Sequence, residues 1–144
     1  MNVPEMLVAK SFVVVDDDDK PRISMCVVNG QPSISMNDSN GIMRVYLGLS
    51  SDKLANLGLS DHNGVARIMA MADDKFVTLT LADANGLNKL KLVIDNKSEN
   101  TSIVLSGSKP GESEAILISL DKDGNPSVNG FDRSRLNVFK AEGP

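Results

Sequence analysis

Tryptophan is absent from this chain, and the aromatic share is only 3%. Such a sequence offers few flat apolar surfaces for bases or sugar rings, which weighs against glycan and single-stranded nucleic-acid binding. The single Cys, Cys26, excludes an intramolecular disulfide, and the single His, His62, excludes a site built from several imidazoles. Cationic side chains are in the minority. Fifteen Lys and Arg against 19 Asp and Glu leave a net charge of −4 at pH 7, the wrong sign for a polyanion partner. No apolar run reaches the roughly 18 residues of a spanning helix. The start, Met1 to Lys10, lacks the basic segment and apolar stretch of a secretory signal. The expectation is a chain made in a cytoplasm, with no address of its own and no membrane insertion.

What is present is an ordinary 41% hydrophobic share over 144 residues, enough for one domain spanning 1–144. An internal repeat runs through it. Asp16 is followed six residues later by Arg22, Asp38 by Arg44, Asp61 by Arg67, and Asp83 by Lys89. The basic positions are 22 or 23 residues apart, a phase that chance does not hold over four units. The repeats are clear over 12–95 and degenerate over 101–139. There Ile103–Leu105 and Ile116–Leu120 read as the strands of a fifth unit around a longer turn, Ser106 to Ser113. Gly124–Val128 opens a sixth, and Arg135–Leu136 echoes the basic-apolar step.

Each unit reads as two strands around a tight turn. Apolar residues fall at every second position, as in Ile34/Met36 before the turn and Val45/Leu47/Leu49 after it, while Ser and Thr occupy many of the alternate places. Period two predicts strands with one buried aliphatic face. The other face is mixed, and Val13, Val15, Met69 and Met71 predict partial cover there too. The Asp-x-x-Gly turns place Asp38, Asp61 and Asp83 where a carboxylate accepts from turn amides, and Gly41, Gly64 and Gly86 where the backbone turns left-handed. Asp19 takes the glycine place in the first unit. Links between units are short and polar, with room for one helical turn near 51–56, and the C-terminal Lys140–Pro144 is expected to fray.

The chain is therefore expected to be all-β. About six hairpin repeats, ten to twelve strands, would form a repetitive array of solenoid or prism-like shape, with oligomers closing the apolar faces. A β-trefoil and an up-and-down barrel are the alternatives.

The run Phe12-x-Val-x-Asp-x-x-Asp-x-Pro-Arg-Ile23 resembles a repeat of certain bacterial and phage proteins, roughly Phe-x-Leu-x-Asp-x-x-Gly-x-x-Arg-x-x-Leu. The likeness covers residues 12–95. It implies a β-repeat fold, and through the phage members a virion setting. Those proteins mostly have no assigned activity. Asp19 in place of Gly and Lys89 in place of Arg depart from the pattern.

No residue set for catalysis emerges. His62 sits on a turn tip, so neither a Ser-His-Asp nor a Cys-His arrangement has a base. Paired carboxylates for a hydrolase can be imagined among so many acids but not named. Cys26 lies in an apolar run and reads as an ordinary buried thiol. Asp16-Asp-Asp-Asp-Lys20 matches a protease recognition tag, with Pro21 opposing cleavage. It reads better as an acidic turn, cation binding being the lesser reading. Asp121–Asn125 hints at a calcium loop, but the sixth and twelfth places of that loop hold Pro126 and Asp132, and it reads as a turn first. The methionines read as core filling before an adaptable surface. The basic ladder Arg22, Arg44, Arg67 and Lys89 reads as paired with Asp16, Asp38, Asp61 and Asp83 before it reads as a polyanion row.

The functional expectation is a non-enzymatic structural protein without cofactor or metal. It would work through contacts with itself, a trimer favoured, and with a larger assembly such as a virion, as a capsid-decoration or fibre-type component, or as a scaffold subunit. The alternative is a monomeric barrel or trefoil module binding a small apolar ligand or a glycan.

Overall fold

The structure, a computed structural model, describes residues 8–51, 53–107, 115–131 and 137–142, the last of these by backbone alone. It is all-β. The strands are β1 (Ser11–Val15), β2 (Pro21–Val28), β3 (Gln31–Asn37), β4 (Met43–Leu49), β5 (Ala55–Ser60), β6 (Ala66–Ala72), β7 (Phe76–Ala82), β8 (Asn88–Asp95), β9 (Asn100–Ser106), β10 (Ala115–Leu120), β11 (Pro126–Phe131) and β12 (Asn137–Glu142). They form one 12-stranded antiparallel sheet in strict sequence order, β1 at one edge and β12 at the other. Among the described residues no strand approaches any strand except its neighbours in sequence.

That order is an up-and-down meander left open, neither closed as a barrel nor folded as a trefoil. Nor does a second layer form among the described residues. The expected burial of the aliphatic face is not met: among the described residues Ala82 is the single buried hydrophobic side chain. Short side chains on the second face are the better covered, because taller neighbours flank them. Thr80, 2% exposed, stands in register between Met69 and Lys91.

Three smaller expectations are corrected. The span near 51–56 is no helical turn: a β-type turn closes from Ser50 to Leu54, and β5 begins at Ala55. Lys140 to Glu142 do not fray but pair with Ser127 to Asn129. Cys26 is half-buried, because it lies on the second face with only Ser33 Oγ 3.9 Å from its sulfur. The longer turn 106–113 is described only to Gly107, and Arg135–Leu136 lies outside the described residues. No helix among the described residues is long and apolar enough to cross a membrane, which leaves strand-based crossing unaddressed.

Candidate functional site

The turn geometry recurs from unit to unit. The Asp61 amide donates to the Val65 carbonyl and the Gly64 amide to the Asp61 carbonyl, both at 2.9 Å. Asp38, Asp83 and Asp16 repeat the pattern. The fourth turn position has a positive φ: 79° at Gly41 and Gly64, 78° at Gly86 and 58° at Asp19. A bulge follows in the preceding strand, between Leu59 and Ser60 in the third unit. The carboxylate completes the turn, since Asp61 Oδ1 accepts from the amides of Asn63 at 2.9 Å and Val65 at 3.2 Å.

Its second oxygen meets the ladder. Asp61 Oδ2 lies 3.2 Å from Arg67 Nη1, Asp38 Oδ2 3.4 Å from Arg44 Nη1, and Asp83 Oδ2 3.4 Å from Lys89 Nζ; Asp16 pairs with Arg22. Each ladder cation also reaches the next hairpin. Arg44 Nε donates to the Ser60 carbonyl at 2.8 Å, Arg67 Nε to the Ala82 carbonyl at 2.8 Å, Lys89 Nζ to the Gly107 carbonyl at 2.7 Å, and Arg22 to the Asp38 carbonyl. The cations are thus spent on clamping one hairpin to the next.

The carboxylates reflect these partners. Partial burial pushes the Asp38, Asp61 and Asp83 carboxyls up, but turn amides and the paired cation outweigh it, so all three lie below their ordinary value of 3.8. At Asp16 the Lys20 amide is the foremost cause of a shift in the same direction. Asp17, Asp18 and Asp19 stay exposed beside it. Among the described residues no three His, Cys, Asp or Glu side chains are grouped to hold a metal ion. His62 is exposed at its turn tip.

The opposite edge has turn-makers of its own, at the links expected over Asp95–Asn100 and Asp121–Asn125 and at Asp73, which the sequence alone did not single out. Asp73 Oδ1 accepts from the Lys75 and Phe76 amides at 2.7 Å, and Asp95 Oδ1 from the Lys97 amide at 2.9 Å. Asp121 and Gly124 repeat the Asp-x-x-Gly turn there, without a cation, because Ser127 occupies the sixth place after Asp121. An Asp opening the short link after β6 was the available signal at Asp73.

The largest feature is the aliphatic face. Register carries one row across the sheet as Phe12, Met25, Ile34, Leu47, Leu57, Ala70, Leu79, Leu92, Ile103, Ile118 and Val128. A second row from Val14 and Ile23 to Leu105 and Ile116 runs beside it toward the Asp turns. A third, through Val27, Leu49, Val77 and Ile94, runs toward the other edge. Most of these side chains are more than a third exposed. Between the rows the face dips into two open grooves, one of 510 Å³ over β1–β5 and one of 670 Å³ over β4–β9.

The second face carries a smaller device. An added Cβ at Gly48 would lie 2.6 Å from Tyr46 Oη and 3.0 Å from the Pro32 carbonyl oxygen, so the only tyrosine lies over a glycine. No protein-family model matches this chain, and no curated protein is significantly similar to it.

Proposed function

We propose that this chain is a non-enzymatic structural protein that assembles through its aliphatic face, first with further copies of itself and then within a larger particle. One observation carries the reading. The chain exposes 10386 Å², whereas a compact monomer of its mass would expose about 7,200 Å². The surplus of about 3,200 Å² is several times the roughly 800 Å² each partner commits to a standard interface. Exposed surface on that scale, with aliphatic side chains set in continuous rows across one face, suits an interface buried on assembly.

A trimer is the favoured closed form, and a virion decoration, a fibre-type component or a scaffold subunit is the setting it suits. Paired ladder cations and net negative charge support leaving nucleic acid out. A ligand module is the weaker reading, because both grooves lie open on the same face and no barrel encloses them.

Light scattering coupled to size-exclusion chromatography tests the proposal. The expected mass is a multiple of 15.4 kDa. A persistent monomer that binds no partner would refute it.

A further inference from the structure

β1 is a short edge strand of 5 residues with an irregular register between Val14 and Val15. Over Ser11–Val15 it has no charge and no proline, two devices that commonly blunt an edge. Phe12, Val13, Val14 and Val15 are 44%, 51%, 54% and 48% exposed. Phe12 and Val14 belong to the aliphatic face, while Val13 stands on the second face in register with Ser24. At that level several inner strands carry small or hydroxyl residues, Ser24, Ser35, Gly58 and Thr80. The same level also carries Tyr46, Met69, Val104 and Leu117, so Val13 continues a mixed row at the place where fewest neighbours cover it. Alternate N–H and C=O groups of β1 face away from β2 and meet no strand among the described residues. The other edge differs, since β12 carries Lys140 and Glu142 within the strand.

Charge is distributed along β1 with opposite signs at its ends. Lys10 precedes it and the run Asp16–Asp19 follows it. Lys10 and Asp17 are both exposed, and neither is tied to a partner among the described residues.

We propose that β1 pairs antiparallel with β1 of a second copy about a two-fold axis at Val13. In that register Val13 falls opposite the partner's Val13, Phe12 opposite the partner's Val14, and Lys10 opposite the start of the partner's acidic run, at Asp16, whose carboxylate its own Arg22 and turn amides hold, and diagonally beside the exposed Asp17. A parallel pairing would instead set lysine beside lysine and aspartate beside aspartate. With the axis perpendicular to the sheet, the aliphatic faces of both copies lie on the same side and their rows run on unbroken. An isologous edge of this kind closes on itself and does not propagate into a fibre. The inference rests on the assembly reading for the existence of an oligomer but uses a different surface. A face-closed trimer joined along β1 to a second trimer has six copies.

The test measures the mass of the full chain by light scattering and amide exchange at β1. The wild type is expected at an even multiple of 15.4 kDa with protected β1 amides. Val13→Lys sets like charges together at the axis and halves the mass, with an unchanged circular dichroism spectrum. Lys10→Glu lowers the mass as well, and Lys10→Glu combined with Asp17→Lys restores it, a rescue that misfolding cannot imitate. An odd multiple overturns the edge pairing alone. So does a mass that Val13→Lys leaves unchanged while a charge on the aliphatic face lowers it; both outcomes leave assembly through the face standing. A wild-type monomer overturns both readings. Protection of β1 that survives in a monomeric Val13→Lys chain overturns the pairing too.

Discussion

Arg67 Nη1 lies 3.2 Å from Asp61 Oδ2, six residues earlier, while its Nε donates at 2.8 Å to the carbonyl of Ala82 in the following hairpin. One guanidinium thus ties a turn to the end of a strand outside its own hairpin. Arg67→Ala should remove both contacts and leave the buried end of β7 with an unfilled acceptor, at a cost of about 1 kcal/mol. Arg67→Lys should cost less, because Lys89 holds the equivalent pair of contacts in the next unit. Thermal melts of the two variants check the order.

Acid should weaken the fold through the turn carboxylates. Asp16, Asp38, Asp61 and Asp83 are all more acidic folded than unfolded. Their contribution is complete above their ordinary value of 3.8 and is lost as pH falls through the lower folded values. Urea midpoints should be flat between about pH 5 and 6 and drop below about pH 4. Asp61→Asn should flatten that drop.

Gly48→Ala should displace the tyrosine ring. The added methyl would sit 2.6 Å from Tyr46 Oη, which can swing away, and 3.0 Å from the Pro32 carbonyl oxygen, which is backbone. Crowding of this kind costs about 1–3 kcal/mol. Tyr46 is the only tyrosine and there is no tryptophan, so tyrosine emission and near-ultraviolet circular dichroism report the ring directly.

On the aliphatic face, Leu92→Lys should dissociate the assembly while leaving each chain folded. Leu92 is 36% exposed in the single sheet, and its burial by another copy would contribute about 1–2 kcal/mol at each place it occurs. Sedimentation should show smaller particles, and the freed face should bind an apolar dye.

The hairpins were legible because their chemistry lies in side chains. Asp38, Gly41 and Arg44 each have a distinct role, and the same triple returns with little change in the next units. The clamp's far end was not legible: the acceptors at Ser60 and Ala82 are main-chain carbonyls, which every residue possesses. Alternation likewise showed that Leu57, Leu79 and Leu92 share a face. It could not show whether another layer lies on that face, because a sandwich and a lone sheet have the same period. Cys26 was misjudged for that reason, its apolar neighbours in sequence being on the opposite side of the strand.

Because, among the described residues, every strand touches only the strands beside it in the chain, the width of the sheet is countable in hairpins. A duplicated segment of 22 or 23 residues, inserted in phase, would bring its own turn, its own carboxylate and its own cation, and would leave all other neighbours as they were. A gene encoding such a chain can lengthen or shorten its product by whole units without redesigning a core, and the reach of the assembly would change in equal steps.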